Sequence, residues 1–155
     1  EVFNMSLLEN LVLAYKGKKK KKINKAIELA QLKSLVGKLP QGIKTVIGEK
    51  GYKLSGGERQ RLGIARALCR TGSIIIFDEA TSALDSKTEK KIQKAIDTQL
   101  TKKTTLTIAH RLSTLKNATT ILVLQKGKIV QQGTYGTLVK QKGLFSQLHK
   151  AQQLK

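Results

Sequence analysis

The spacing of apolar residues changes along this chain, and each change predicts a different element. Residues 2–13 mix apolar and small polar side chains, a loop leading into a short helix around Leu7–Leu13. Beyond a lysine run, Ile23, Ala26, Ile27 and Ala30 fall at i, i+3, i+4 and i+7, one stripe of an amphipathic helix over about 23–36. Leu39-Pro40-Gln41-Gly42 breaks it. A loop through Gly48 and Gly51 ends at Leu54-Ser55-Gly56-Gly57-Glu58, where another helix begins and reaches about Arg70. Ser73-Ile74-Ile75-Ile76-Phe77 is then a continuous apolar run, expected of a strand buried on both faces of a parallel sheet. Ser86-Lys87-Thr88-Glu89 reads as a capping box opening a helix of about fourteen residues. Thr104–Ile108 reads as a second strand, and strand, helix and strand together predict a right-handed βαβ unit. Thr120–Leu124 and Lys128–Gln132 flank Gln125-Lys126-Gly127 as an edge hairpin, followed by two helices over about 137–141 and 144–154.

The fold class predicted is α/β. A helical part over 1–70, with a lysine-rich insert at 16–22, precedes a mainly parallel sheet segment with flanking helices over 71–155. At 155 residues the chain can bury one substantial core but not two large ones. No apolar run approaches the roughly 20 residues of a membrane helix, and the opening residues do not read as a secretory signal. The single Cys69 excludes an internal disulfide and fits a reducing compartment.

Charge adds one question. Thirty Lys and Arg stand against ten acids, a net +20 that would suit nucleic acid or an anionic surface if it were clustered. It is spread along the chain except at Lys16–Lys22, which reads first as a solvated, self-repelling insert. Lipid headgroups and nucleic acid are the sharper alternatives for that run.

Asp78 and Glu79 follow the apolar strand directly. Ligands of open parallel sheets bind beyond the carboxyl ends of strands, so both acids are expected at the functional edge. One could hold Mg²⁺ through retained waters, and the other could orient or deprotonate a water attacking a phosphate. The plainer reading is two surface acids where a strand meets solvent. His110, just past the next strand, belongs to the same edge by the same rule, although a lone His is most often structural. Ser55-Gly56-Gly57-Glu58 is explained locally as a capping box. Two glycines in a first turn nonetheless cost about 1 kcal/mol each relative to Ala, and what they gain is close approach of an anion to the exposed N–H groups.

With these residues in view the chain resembles the ABC transporter ATP-binding domain, exporter type, C-terminal part only. Leu54-Ser55-Gly56-Gly57-Glu58-Arg59-Gln60-Arg61 with Ile64-Ala65-Arg66-Ala67-Leu68 resembles the signature motif and its helix. Ile74–Glu79 resembles Walker B with the catalytic glutamate, Ala80–Asp85 the D-loop, and Ile108–Thr114 the switch-histidine loop. Asn4–Asn10 resembles the segment after the Q-loop, and Thr45–Gly51 the X-loop of exporters. The resemblance implies a partial P-loop NTPase fold and the cofactors ATP and Mg²⁺. Leu54, Ser55, Gly56, Gly57 and Glu58 would meet ATP held by a second ABC ATPase domain, in a homo- or heterodimer. Asp78 would serve Mg²⁺, Glu79 would be the general base and His110 would hold the γ-phosphate. Ser82 and Asp85 would couple the two sites, and Thr45–Gly51 would face the coupling helices of a transmembrane domain.

The implied function is ATP hydrolysis powering export, at the cytoplasmic face of a membrane, with no nucleic acid as partner. The Gly51–Glu58 stretch leans toward the mitochondrial and bacterial exporters of glutathione- and metal-linked compounds, with lipid-flippase and type I secretion exporters as near rivals. There are departures from the pattern. Glu58 stands where Gln is commoner, and no G-x-x-x-x-G-K-[ST], adenine-stacking aromatic ahead of one, or Q-loop Gln occurs. The chain by itself is therefore expected to be inactive, and its apolar strand Ile74–Phe77 to lose its usual Walker A neighbour, leaving an unpaired apolar edge. The alternative is a fragment of a DNA-maintenance ATPase head of the SMC kind. Such heads share a signature ending in Glu and would suit the basic charge, but the exporter-like X-loop, the Ala109–Thr114 run and the absence of coiled-coil heptads weigh against it.

Overall fold

The computed structural model describes residues 1–13 and 20–153. They pack as two compact units, residues 1–106 and 107–155. This division by packing differs in kind from the change of local structure near residue 70.

In the first unit, β1 (Met5–Ser6) runs into α1 (Leu7–Val12), capped by Ser6 and Glu9 in a reciprocal box. The helix expected over 23–36 is two: α2 (Lys20–Leu29) and α3 (Lys33–Lys38). Between them Gln31 adopts a left-handed conformation, φ 56°, which ends α2 and turns Leu32 fully inward. The stripe Ile23, Ala26, Ile27, Ala30 is buried as its spacing requires. The lysine run departs from the insert expected at 16–22. Lys16–Lys19 lie outside the described residues, whereas Lys20–Lys22 form the first turn of α2, drawn into the helix by the buried stripe that follows.

A 3₁₀ turn (Gly42–Lys44) leads to β2 (Val46–Ile47), antiparallel to β1 with Met5 opposite Ile47 and Ser6 opposite Val46. The longest early helix is α4 (Gly56–Cys69), and both α1 and α2 pack on it. Then come β3 (Ile74–Asp78), α5 (Ser86–Gln99) and β4 (Thr104–Ile108), which pairs with β3. Thr104 donates to the Ser73 carbonyl at 2.8 Å, so the two strands set out from the same end, as a strand–helix–strand crossover needs.

The strand does not match one expectation. β3 is not buried on both faces: Ile75 and Phe77 point into the core, while Ile74 is 69% and Ile76 63% exposed. Among the described residues nothing covers that second face, so alternation replaces two-sided burial. The single core of this unit runs from Leu7 through Leu62, Ile64 and Ala65 to Ile92 and Leu100.

In the second unit, β5 (Ile121–Gln125) and β6 (Lys128–Gly133) form the expected antiparallel hairpin, with a register shift between Val123 and Leu124. Lys126 and Gly127 turn it in left-handed conformations, φ 49° and 73°. α6 (Tyr135–Lys140) and α7 (Leu144–Gln153) follow, and Leu112, Ile121, Val123, Leu138 and Phe145 make a separate small core.

Candidate functional site

The start of α4 is built as its residues dictate. Ser55 is extended, φ −64° and ψ 165°, and its hydroxyl accepts from the Glu58 amide at 3.3 Å. The Glu58 carboxylate in return accepts from the Ser55 amide at 2.7 Å. Leu54 is buried and its carbonyl takes a bond from Arg59, so it anchors the start of the helix rather than facing solvent. The two glycines differ in their surroundings. A Cβ on Gly57 would stand 3.3 Å from the Ala83 carbonyl oxygen and 3.4 Å from a Leu84 methyl, whereas one on Gly56 would meet nothing closer than 3.9 Å. Gly57 thus lets α4 sit close on the loop after β3, a reason the sequence did not reveal.

Asp78 ends β3 and is exposed. Glu79 follows in a left-handed conformation, φ 46°, that non-glycine residues seldom adopt. The loop behind it closes through Ser82 N–H to the Glu79 carbonyl and Leu84 N–H to the Thr81 carbonyl, each at 3.1 Å. Gln60 of α4 grips that loop: its amide donates to the Glu79 carbonyl at 3.2 Å and the Ser82 hydroxyl at 2.7 Å, and its oxygen accepts from the Ala83 amide at 2.9 Å. Ser55–Glu58, Glu79 and Ser82 are therefore brought together within one unit.

Asp85 corrects the expected capping box. It, not Ser86, is the N-cap of α5, because its carboxylate reaches the Lys87 amide at 3.1 Å and the Thr88 amide at 3.0 Å. Bonding to the Thr88 side chain, then to the Thr88 and Lys87 amides, holds its pKa below the usual carboxylate range. Glu89, expected in the box, is buried instead and bonded weakly by the Thr81 hydroxyl at 3.4 Å.

His110 belongs to the second unit, exposed just past β4. The Gln152 side chain fixes its backbone, donating to the His110 carbonyl at 2.6 Å while accepting from the Leu112 amide at 3.0 Å. Thr45–Gly51 folds onto the start of the chain. The Thr45 carbonyl accepts from the Leu7 amide, and the Asn4 side chain accepts from the Lys50 amide at 3.0 Å. Gly48 takes φ 109°, and a Cβ there would collide with the Asn4 side chain.

The family model for ABC transporters matches residues 2–82, more than half of the chain. The chain belongs to the ABC transporter family. Among curated relatives it is 44% identical over 152 residues to the ATP-dependent lipid A-core flippase of Shewanella denitrificans, covering 97% of this chain and 25% of that protein. It is 46% identical over 151 residues to the flippase of the same description from Syntrophus aciditrophicus, with the same coverage. Among solved structures, a bacterial Atm1-family ABC exporter with ATP bound superposes with a TM-score of 0.88 at 39% identity, over 97% of this chain and 26% of that one. The fold is thus a partial ABC ATPase fold, and the chain spans about a quarter of the length of the relatives it matches. These likenesses support the exporter reading and not the DNA-maintenance alternative.

For an ABC ATPase domain, a lone exposed Asp78 is a chemically adequate Mg²⁺ ligand. That ion keeps several waters and needs only one or two carboxylates plus substrate phosphates. Among the described residues no group of three metal-ligating side chains occurs, nor any helix long and apolar enough to cross a membrane.

Sequence reasoning missed Gln60 and the Asn10–Arg66 pair. Asn10 is fully buried, accepting from the Phe3 amide and donating to the Phe3, Met5 and Ser6 carbonyls. Its signal was present: an amide at i+3 on the apolar stripe Leu7, Leu11 of a short helix. Gln60 carried no such signal, because its partners are nineteen or more positions away.

Proposed function

We propose that this chain is the signature-bearing part of an exporter's ATP-hydrolysing domain, working with a second ABC ATPase domain and a transmembrane domain. Ser55 through its hydroxyl and Gly57 through its N–H would touch the γ-phosphate of ATP cradled by the opposite domain, at a helix start that favours anions. Glu79 would take the proton of the attacking water as its oxygen bonds to the γ-phosphorus and ADP departs. Asp78 would hold Mg²⁺, which supplies charge neutralisation on the phosphate oxygens. His110 would donate to the γ-phosphate, Ser82 and Asp85 would couple the two sites, and Thr45–Gly51 would meet the coupling helices at the cytoplasmic face. The flippase relatives support a lipid as cargo.

The observation that most supports this reading is the juxtaposition within one unit of a Ser-capped, glycine-opened helix start and the loop that follows two acids at a strand end. The test is ATP turnover. The full-length transporter containing this segment is expected to hydrolyse ATP, and Glu79→Gln to abolish that. Purified residues 1–155 are expected to show no turnover above background. Turnover by residues 1–155 that disappears in Glu79→Gln would overturn the account of the phosphate-binding half.

A further inference from the structure

We propose that Gln60 is a positioning residue that sets the conformation of Glu79, linking the helix that meets one nucleotide to the acid that works on the other. This rests on reading the chain as part of an ABC ATPase. Three observations carry it. The Gln60 amide uses both of its ends on one loop: two donations, to the Glu79 carbonyl at 3.2 Å and the Ser82 hydroxyl at 2.7 Å, and one acceptance from the Ala83 amide at 2.9 Å. Glu79 itself sits at φ 46°, a conformation that persists in a non-glycine residue only where neighbours over-determine it. Gly57, three residues before Gln60 on the same face of α4, lets the helix lie 3.3 Å (as a Cβ would measure it) from the Ala83 carbonyl.

The grip does little for folding. Its bonds are at the surface, where water serves the same groups almost as well once the side chain is removed. What water does not supply is direction. Glu79's carboxylate is aimed by its own backbone torsions, and those are fixed by the carbonyl that Gln60 holds. A shift of the start of α4 as it closes on a nucleotide therefore reaches Glu79 through one side chain.

Two variants of the full-length transporter separate the possibilities. Gln60→Ala removes all three bonds. Gln60→Glu keeps the acceptor for the Ala83 amide but sets a carboxylate oxygen against the Glu79 carbonyl. Both are expected to lower kcat by about tenfold to a hundredfold, the scale of a misplaced catalytic group, with the KM for ATP within about twofold of the parent. In amide exchange on residues 1–155, Ala83 is expected to lose protection in Gln60→Ala and to keep it in Gln60→Glu. The thermal midpoint of each variant is expected to stay near that of the parent. Unchanged kcat in both variants, in a transporter whose turnover Glu79→Gln abolishes, would overturn this inference and leave the function standing. So would a fall in kcat that merely tracks a lowered thermal midpoint, or a raised KM with kcat intact. Turnover that survives Glu79→Gln would instead remove the functional reading, and this inference with it.

Discussion

Arg66 of α4 reaches Asn10 of α1, donating from Nε to its backbone carbonyl at 2.7 Å and from Nη2 to its side-chain oxygen at 2.5 Å. The same guanidinium lies over the Phe3 ring at 5.9 Å and also bonds the Glu1 carbonyl. Burial, with the nearby Arg70 charge, lowers its pKa from the usual arginine value. One buried amide and one planar cation thus tie the first dozen residues to the central helix. Asn10→Ala is expected to cost about 1–3 kcal/mol, because it removes the side-chain oxygen shared by the Phe3 amide and Arg66 Nη2 together with the donor to the Phe3, Met5 and Ser6 carbonyls. The urea midpoint of residues 1–155 checks this, and a loss well under 1 kcal/mol would mean that the segment is not held by this pair.

The glycines of α4 offer a paired test. A Cβ on Gly63 meets nothing within 4 Å, so Gly63→Ala is expected to stabilise the helix by about 0.5–1 kcal/mol. Gly57→Ala has the same propensity gain, but its methyl presses on the Ala83 carbonyl. Its thermal midpoint is expected to fall clearly below that of Gly63→Ala. Equal midpoints would show that the loop after β3 yields freely.

Cys69 is fully buried at the end of α4, and burial pushes its thiol pKa up. At neutral pH a soluble alkylating reagent is expected to modify it only as fast as the chain opens, and immediately in denaturant. Rapid modification of the folded chain would contradict the packing described for this helix.

Three carboxyl groups are held below their ordinary values: Glu9 by the Ser6 hydroxyl, Glu28 by Lys33, and Asp85 by Thr88. A depressed folded-state pKa adds stability above the unfolded value, which is lost as pH falls through that value toward the folded one. The thermal midpoint is therefore expected to drop as pH falls below 4.5, where Glu9 and Glu28 of the unfolded chain take up protons ahead of the folded chain, and further below 3.8 for Asp85. All three are solvent-exposed, so the effect is small and weakened by salt. Asp85→Asn keeps a good N-cap without a titrating group, and is expected to flatten the acid limb.

The uncovered face of β3 predicts poor behaviour for residues 1–155 alone. Ile74, Ile76 and Leu106 are 69%, 63% and 53% exposed. Dye binding and concentration-dependent light scattering are expected, both reduced in Ile74→Thr/Ile76→Thr with far-ultraviolet circular dichroism unchanged. Equal scattering by that variant would move the cause elsewhere, for example to Leu122, Leu124, Ile129 and Val130 of the hairpin.

The sequence by itself determined the order and type of most elements, because apolar period, caps and turn residues act over a few neighbouring positions. It placed α4, α5, β4 and the hairpin within a residue or two, and the order of the motifs was enough to name the family. Local pattern also made Ser55 and Glu58 a capping box. Only the tertiary structure decided the rest. Gln31 leaves α2 because Leu32 has a core to reach. Gly57 lies close against Ala83, and β3 shows water its second face because nothing described lies over it. Each of these depends on what a residue meets across the fold, and no periodicity along a chain encodes that distance. Gln60 is the clearest case: an ordinary polar residue in a helix, until folding brings Glu79, Ser82 and Ala83 within reach of its one amide.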